Sequence, residues 1–295
     1  MNFSGNPFDL KDSTAWERWR DKKLEQAPSS LDELIVEVDD PRTITPMEHE
    51  AIVERCRHFN MAIYASELGE EGTHIPRAVG MRFGCHHINH NRGAEADAVT
   101  ALTVQDDPLH ALYIPYTNRD IHWHTDGYYN RLDLQNHALL LHCVRPALRG
   151  GESGLMDHEM AYLLMREENP DYIHALMQED VMVIPPHVVD GEQLRPQRSG
   201  PVFMVTAAGN LHMRYTMRKR NIVWSENPLV RQAVTWLENL LNSGTAPLFR
   251  ATLQPGWGLI CNNVLHDRTA FEDSEEETEK RLLYRARYYD RIHCS

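Results

Sequence analysis

The chain has no excess of basic residues: Lys and Arg number 30 against 43 Asp and Glu, a formal net charge of −13. A basic surface is the electrostatic footprint of nucleic-acid and anionic-membrane binders, so neither partner is expected. Cysteine is scarce and unpatterned. Cys56, Cys85, Cys143, Cys261 and Cys294 are odd in number and scattered, without a Cys-x-x-Cys, which argues against a zinc ribbon or a thioredoxin-type dithiol. Free thiols in a reducing compartment are the simplest reading, and a cytoplasmic location is expected. The opening Met1-Asn2-Phe3-Ser4 lacks the basic and apolar regions of a signal peptide. No apolar run approaches the roughly 18 residues of a membrane span. There is neither a P-loop nor a Gly-x-Gly-x-x-Gly, so nucleotide-dependent classes are remote.

What remains is an ordinary soluble composition, 42% hydrophobic and 25% charged over 295 residues. No low-complexity linker or internal repeat divides it, so one domain is expected. Helical character over residues 14–26 and a strand at Leu34–Val38 open the chain. Thr45-Pro46-Met47-Glu48 then gives an N-cap, a proline at the first helical position and a capping-box glutamate for a helix to about Asn60. Met61–Ala65 reads as a buried strand, completing an α/β lead-in that extends with an irregular loop to residue 98. That loop, 66–99, holds His86, His87 and His90. Hydrogen-bonded imidazoles are the favoured reading there, ahead of a pocket-bordering loop or a second metal site.

From residue 99 to 289 the texture is short strands separated by Gly, Pro and Asn clusters, as in an antiparallel sandwich or barrel. Expected strands are Val99–Val104, Leu112–Ile114, Ile121–His124, His137–Val144, Val181–Ile184, Val202–Val205, Leu211–Tyr215, Phe249–Leu253, Gly258–Cys261 and Arg281–Tyr289. Helices are expected at Asp157–Glu167, near Tyr172–Gln178 and at Asn227–Leu241, the last with an Asn-Pro cap. The acidic run Glu272–Glu279 reads as a solvated loop.

The chemistry concentrates at Ile121-His122-Trp123-His124-Thr125-Asp126-Gly127. Alternate strand side chains share a face, so His124 and Asp126 can converge on one ion. They supply two ligands of the 2-His-1-carboxylate triad, which holds non-haem Fe(II) with open positions. With 17 histidines in the chain such a pair arises by chance, so residues downstream decide. A β-rich run, Gly258-Leu259-Ile260-Cys261, leads into a turn with His266 at its end. Arg281 follows on a strand, where a guanidinium is a fixed fork suited to a carboxylate.

The stretches Trp123-His124-Thr125-Asp126, Gly150-Gly151-Glu152-Ser153, Asn263 to Phe271 and Arg281-Leu282-Leu283-Tyr284-Arg285 carry a resemblance over about residues 99–289. In their order and spacing the sequence resembles the taurine dioxygenase-like (TauD/TfdA) family of Fe(II)/2-oxoglutarate-dependent oxygenases. The resemblance implies a mainly β fold with flanking helices, built on a double-stranded β-helix (jelly-roll) core. It makes His124, Asp126 and His266 the iron ligands. Arg281 and Ser153 then hold the distal carboxylate of 2-oxoglutarate, with Ser153 standing where relatives have threonine. Arg285 falls where taurine dioxygenase uses an arginine for its substrate's anion, although a structural ion pair is the competing reading. The implied reaction oxidises a small organic substrate with O2, converting 2-oxoglutarate to succinate and carbon dioxide. Family members that halogenate lack the carboxylate found here at Asp126, so hydroxylation or a related oxidation is implied. Relatives are often dimers or tetramers, and oligomeric state is left open.

Neighbouring residues carry alternatives. His122 shares a face with His124 and would close a structural zinc site, though a supporting role is favoured. Trp123 points to the opposite face, into the core. Tyr128, Tyr129 and Asn130 are expected at the pocket mouth, against ordinary packing of the two phenols. Arg268 is expected in an orienting ion pair. The rival classes are a cupin-like metal oxygenase or hydrolase without 2-oxoglutarate, in which Arg281 and Ser153 have no evident role, and a non-enzymatic jelly roll with a structural metal.

Overall fold

In the computed structural model, residues 5–90, 97–105, 113–189, 191–218, 220, 222–245 and 247–293 are described. In chain order come α1 (Ser13–Glu25), β1 (Ile35–Glu37), α2 (Pro46–Phe59), β2 (Met61–Ala65), α3 (His74–Arg82), β3 (Thr100–Leu102), β4 (Ile121–His124), β5 (Ala138–Arg145), β6 (Arg149–Gly150) and β7 (Ser153–Met156). Next are α4 (His158–Glu168), α5 (Pro170–Leu176), β8 (Met182–Ile184), β9 (His187–Val189), β10 (Glu192–Arg195), β11 (Arg198–Gly200), β12 (Phe203–Val205), β13 (Leu211–Met213) and β14 (Val223–Trp224). Last are α6 (Pro228–Asn242), β15 (Phe249–Ala251), β16 (Gly258–Cys261), β17 (Leu265–Arg268), β18 (Phe271–Glu272) and β19 (Leu282–Tyr288).

Two compact units emerge. The larger comprises Pro28–His122, Asn136–Leu155 and Phe249–Ser295. Its six-stranded sheet runs β1-β2-β16-β5-β19-β3, and β4 enters a four-stranded sheet ordered β15-β7-β17-β4. β5 and β16 are buried on both faces, and their alternation separates two cores. Ala138, Leu140, Val144 and Ile260 join Ile52, Val53 and Cys56 of α2 and Val79 of α3. Leu139, Leu141, Cys143, Leu259 and Cys261 meet Leu155 of β7 and Phe249 and Ala251 of β15. The six-stranded sheet is therefore sandwiched between helices and the smaller sheet. Each fully buried Leu or Ile contributes about 1.5–3 kcal/mol.

The local signals at α2 act as the sequence implies. Thr45 Oγ1 accepts from Glu48 N at 3.3 Å and Glu48 Oε2 accepts from Thr45 N at 2.6 Å. β1 and β2 pair in parallel with α2 between them, Ile35 opposite Ile63. The expected irregular loop 66–99 instead contains α3. Gly80 near its end weakens the local helical signal, yet is required because a Cβ there would meet the Tyr288 hydroxyl at 2.3 Å. Packing overrides propensity at this helix. The strand expected at Leu112–Ile114 is also corrected: Leu112 lies outside the described residues, and Ile114 opens a 3₁₀ turn with Pro115. The turn chemistry of Pro115 outweighs the β propensity of its neighbours.

The smaller unit comprises Met1–Ala27, Trp123–Gln135 and Met156–Leu248. Its strands form the sheets β11-β8-β14, β10-β9 and β12-β13, beside α1, α4, α5 and α6. Buried Lys23 of α1 lies 2.6 Å from Asp157 Oδ2 and 2.7 Å from Glu159 Oε2 at the start of α4. Arg214, 0% exposed, is the unit's central polar anchor. Its guanidinium donates to the carbonyls of Tyr128 at 2.6 Å, Met182 at 3.0 Å, Gly200 at 3.2 Å and Arg198 at 3.4 Å. Burial pushes its pKa down to about 10, so it stays charged near neutrality.

Arg214→Met removes donors from four inward carbonyls and is expected to cost about 3 kcal/mol, read by urea unfolding. His142, 0% exposed, shares a 2.9 Å hydrogen bond between its Nδ1 and the Tyr64 hydroxyl. Burial, with a lesser contribution from His74, pushes its pKa from 6.5 down to about 4. Between those values the unfolded chain binds a proton that the folded chain refuses, so stability falls as pH falls through this window. The ceiling on the loss is about 3 kcal/mol. In His142→Asn the difference in unfolding free energy between pH 7 and pH 4.5 should shrink accordingly; an unchanged difference would assign the acid sensitivity to other groups.

Candidate metal and co-substrate site

β4 ends at His124, and its continuation is tied by the backbone. Thr125 N donates to Tyr215 O at 3.0 Å, Tyr215 N to Thr125 Oγ1 at 3.1 Å, and Met217 N to Trp123 O at 2.8 Å. Gly127 then turns the chain at φ 72°, a conformation that favours glycine. This fixes His124 and Asp126 on one side, with His124 Nε2 3.7 Å from Asp126 Oδ1, and Trp123 buried on the other. β17 is hydrogen-bonded beside β4 and carries His266. Ligand atoms of His124, Asp126 and His266 all lie within 4.8 Å of one another, the sole such group of His, Cys, Asp or Glu among the described residues. A carbonyl can only accept, so His266 Nδ1, 2.9 Å from Val264 O, carries the proton and leaves ligation to Nε2. Two imidazoles and a carboxylate form a donor set that fits Fe(II).

The turn before His266 is held by asparagines. Asn263 adopts the left-handed region at φ 51°, and its Nδ2 donates to Asn136 O at 2.6 Å. Asn262 N donates to Asn60 O at 2.7 Å and its Nδ2 to Asn60 Oδ1 at 3.1 Å. Sequence reasoning did not single out Asn60, Asn136 or Asn262 for this role. The Asn262-Asn263 pair at the end of an apolar strand was the available signal, because Asn tolerates a positive φ.

Arg281 sits immediately before β19, 4% exposed. Burial pushes its pKa down to about 10 against the opposing influence of Cys143 and Asp273. Even-numbered residues Leu282, Tyr284, Ala286 and Tyr288 join the helix-side core and Leu283 the opposite one. Arg285 therefore lies on the face of Leu283, and Arg281, just before the strand, lies near Cys143 of that same core. Gly150 and Gly151 have φ 74° and 71°. A Cβ on Gly151 would lie 3.5 Å from Arg281 Nε, so the Gly-Gly turn leading into Ser153 passes beside this guanidinium. The Arg281 guanidinium also lies 5.0 Å from the Phe271 ring. A buried guanidinium beside a glycine turn is suited to a carboxylate.

Other expected residues are placed differently. His122 is exposed and lies 3.4 Å from Asp120 Oδ2, outside the three-residue group. His87 Nδ1 lies 2.7 Å from Asp290 Oδ1, and His86, His87 and His90 belong to no metal-holding group among the described residues. The ion pair expected of Arg268 is not formed among them. Arg268 donates to the carbonyls of Thr117 and Arg119 and stacks 4.8 Å from Phe271, because its buried position offers backbone acceptors. Asn130 Nδ2 donates to Leu134 O at 3.1 Å, closing its own loop. Tyr128 and Tyr129 pack edge to face at 5.2 Å. Burial raises the Tyr128 pKa, opposed by Arg218.

A family model described as "Taurine catabolism dioxygenase TauD, TfdA family" matches residues 76–287. Uridine-5'-phosphate dioxygenase of Amycolatopsis sp is 30% identical over 178 residues, 56% of this chain and 60% of that protein. The chain thus spans less than two thirds of that relative. The structure of an asparagine oxygenase in complex with Fe(II), 2S,3S-3-hydroxyasparagine and succinate aligns with a TM-score of 0.55 at 14% identity, over 95% of this chain and 92% of that one. The non-heme iron oxygenase OrfP in complex with Fe and alpha-ketoglutaric acid aligns at 0.60 and 14%, over 92% and 90%. At such identities these two likenesses are of fold.

The geometry predicts how metal binding divides among the histidines. His266→Ala and Asp126→Ala should each lower Fe(II) affinity by at least about tenfold, since even supporting residues of metal sites cost that much. His122→Ala should retain wild-type iron per chain after desalting. Loss of iron in His122→Ala would restore the closed zinc-like set.

Proposed function

Because the chain belongs to the taurine catabolism dioxygenase TauD, TfdA family, we propose that it is an Fe(II)- and 2-oxoglutarate-dependent dioxygenase that hydroxylates, or otherwise oxidises, a small anionic organic substrate. The observation that carries the proposal is the convergence of His124, Asp126 and His266 within 4.8 Å. Three protein ligands leave positions for a co-substrate and O2, whereas a structural zinc site uses four. Iron and 2-oxoglutarate supply the oxidation when bound, with succinate and carbon dioxide as the co-products.

The protein's own part is to position these groups. Arg281 and Ser153 hold the distal carboxylate of 2-oxoglutarate. Arg281 favours that role because burial has already stripped its water, so a carboxylate replaces hydration rather than competing with it. Arg285, on the face of Leu283, is assigned to the substrate, and Tyr128, Tyr129 and Asn130 line the mouth. An anionic substrate agrees with the name of the Amycolatopsis relative, which specifies a nucleoside monophosphate. A chain of net charge −13 suits a small molecule better than a nucleic acid.

The wider reading is a double-stranded β-helix core over residues 99–289, behind an α/β lead-in over 1–98, working as one catalytic domain. The packed pair of sheets and the oxygenase neighbours support it. A cytoplasmic location accords with the buried free thiols of Cys56, Cys85, Cys143 and Cys261; no described helix is long and apolar enough to cross a membrane.

An anaerobic titration with Fe(II) and then 2-oxoglutarate tests the proposal. A visible charge-transfer band should appear, and Arg281→Ala should require at least about tenfold more 2-oxoglutarate, the loss of a charged hydrogen-bonding partner. Bound iron without a band would favour the cupin-like alternative, and no iron binding would favour a non-enzymatic jelly roll.

A further inference from the structure

An acidic chain has little reason to leave arginines without acids around them. Yet Arg195, Arg198, Arg214 and Arg218 gather near Tyr128 and Tyr129, the aromatic pair that directly follows Asp126. Among the described residues, none of these four guanidiniums has a carboxylate within 4.0 Å. Asp133, on which Arg198 acts through space, is engaged by Arg131 at 2.6 Å.

The cations differ in how they are used. Arg214 spends its guanidinium on four carbonyls. Arg195 is held at its rim by the carbonyls of Pro185 at 2.8 Å and Pro196 at 3.3 Å, with its guanidinium carbon 6.0 Å from the Tyr129 ring. It is half-buried, and the guanidiniums of Arg198 and Arg214 act on it through space. Arg218 is half-buried, in electrostatic range of the Tyr128 hydroxyl. It also borders a cavity of about 400 Å³ whose wall includes Trp224, Thr235 and Val234. That volume is in the range of small-ligand pockets. Glu238 shares the wall but does not reach ion-pair distance of Arg218. Partly desolvated like charges repel unless an anion joins them, and preorganised guanidiniums with phenol donors match a phosphoryl oxyanion.

We propose that the phosphoryl group of a small phosphomonoester substrate is held by Arg195 and Arg218 beside Tyr128 and Tyr129. This adds a phosphoryl contact, from the segment following the metal-ligating Asp126, to the substrate role given to Arg285. It rests on the dioxygenase reading for what happens to the ligand, but binding at this cluster is measurable without turnover.

The test uses the full chain loaded anaerobically with Fe(II) and 2-oxoglutarate, with uridine 5'-monophosphate and uridine as probes in calorimetric titration. The phosphorylated probe should bind at least about tenfold more tightly than uridine, and Arg195→Met and Arg218→Met should each remove about that factor. Uridine binding should be unaffected in both variants. Arg195→Lys, which keeps the charge, should retain part of it, separating lost charge from lost packing. Equal affinity for the two probes, no binding of either, or an unchanged preference in both Arg195→Met and Arg218→Met would overturn the assignment. The charge-transfer band in the same samples reports the iron and 2-oxoglutarate site separately, so failure of the dioxygenase reading would be seen as its absence.

Discussion

Everything in the candidate site depends on bringing two imidazoles and a carboxylate together within 4.8 Å. Such a group is unfavourable without its ion: the carboxylate is largely desolvated, and side-chain entropy is lost. The protein offsets this with backbone constraints on either side. Thr125 exchanges hydrogen bonds with Tyr215 between the two ligands of the first segment. His266 is oriented by its own turn through Val264 O, and the turn by Asn263 and Asn136. None of these constraints touches the metal position, yet each removes a freedom that the ion would otherwise have to freeze.

The same logic explains what was legible in the sequence. His124 and Asp126 were readable because strand alternation is a local rule that brings close residues to one side. The capping box of α2 was likewise contained in four consecutive residues. α3 was not readable, since Gly80 weakens a helix whose justification is the ring of Tyr288, more than 200 residues away. Arg268 illustrates a different limit. Its neighbourhood suggested an ion pair, but the carbonyls of Thr117 and Arg119 that it meets leave no mark in sequence, because every residue carries a carbonyl. Arg214 was overlooked for the same reason.

Arg214 shows how stability and function share one cation. Its bond to Tyr128 O holds the backbone two residues beyond Asp126, while its other bonds secure β8 and β11. A neutral side chain of similar length would fill the space but leave acceptors unpaired in a buried position, which costs more than a lost hydrogen bond in water. A lysine would keep the charge yet lacks the planar fork needed to reach four carbonyls at once. The carbonyl oxygens also solvate the charge without neutralising it, so a positive field persists around the segment. That is the physical difference between a guanidinium paired with Asp or Glu and one paired with backbone.

Net charge and local charge therefore point in opposite directions here. The acidic residues are concentrated in exposed positions, including Glu272 and Glu275–Glu277, whereas Arg214, Arg268 and Arg281 are all at least nine-tenths buried. Burial pushes their pKa values down to about 10, 9 and 10 respectively, leaving each protonated at neutral pH. A negative exterior repels anions at long range, an effect that salt screens over roughly 8–10 Å. Inside that distance the buried cations dominate, because the low local dielectric that raises their cost also strengthens any contact with a carboxylate or phosphoryl group. Selection between anionic ligands then falls to geometry: a flat fork beside Gly151 suits a planar carboxylate, and separated guanidiniums around two phenols suit a tetrahedral oxyanion.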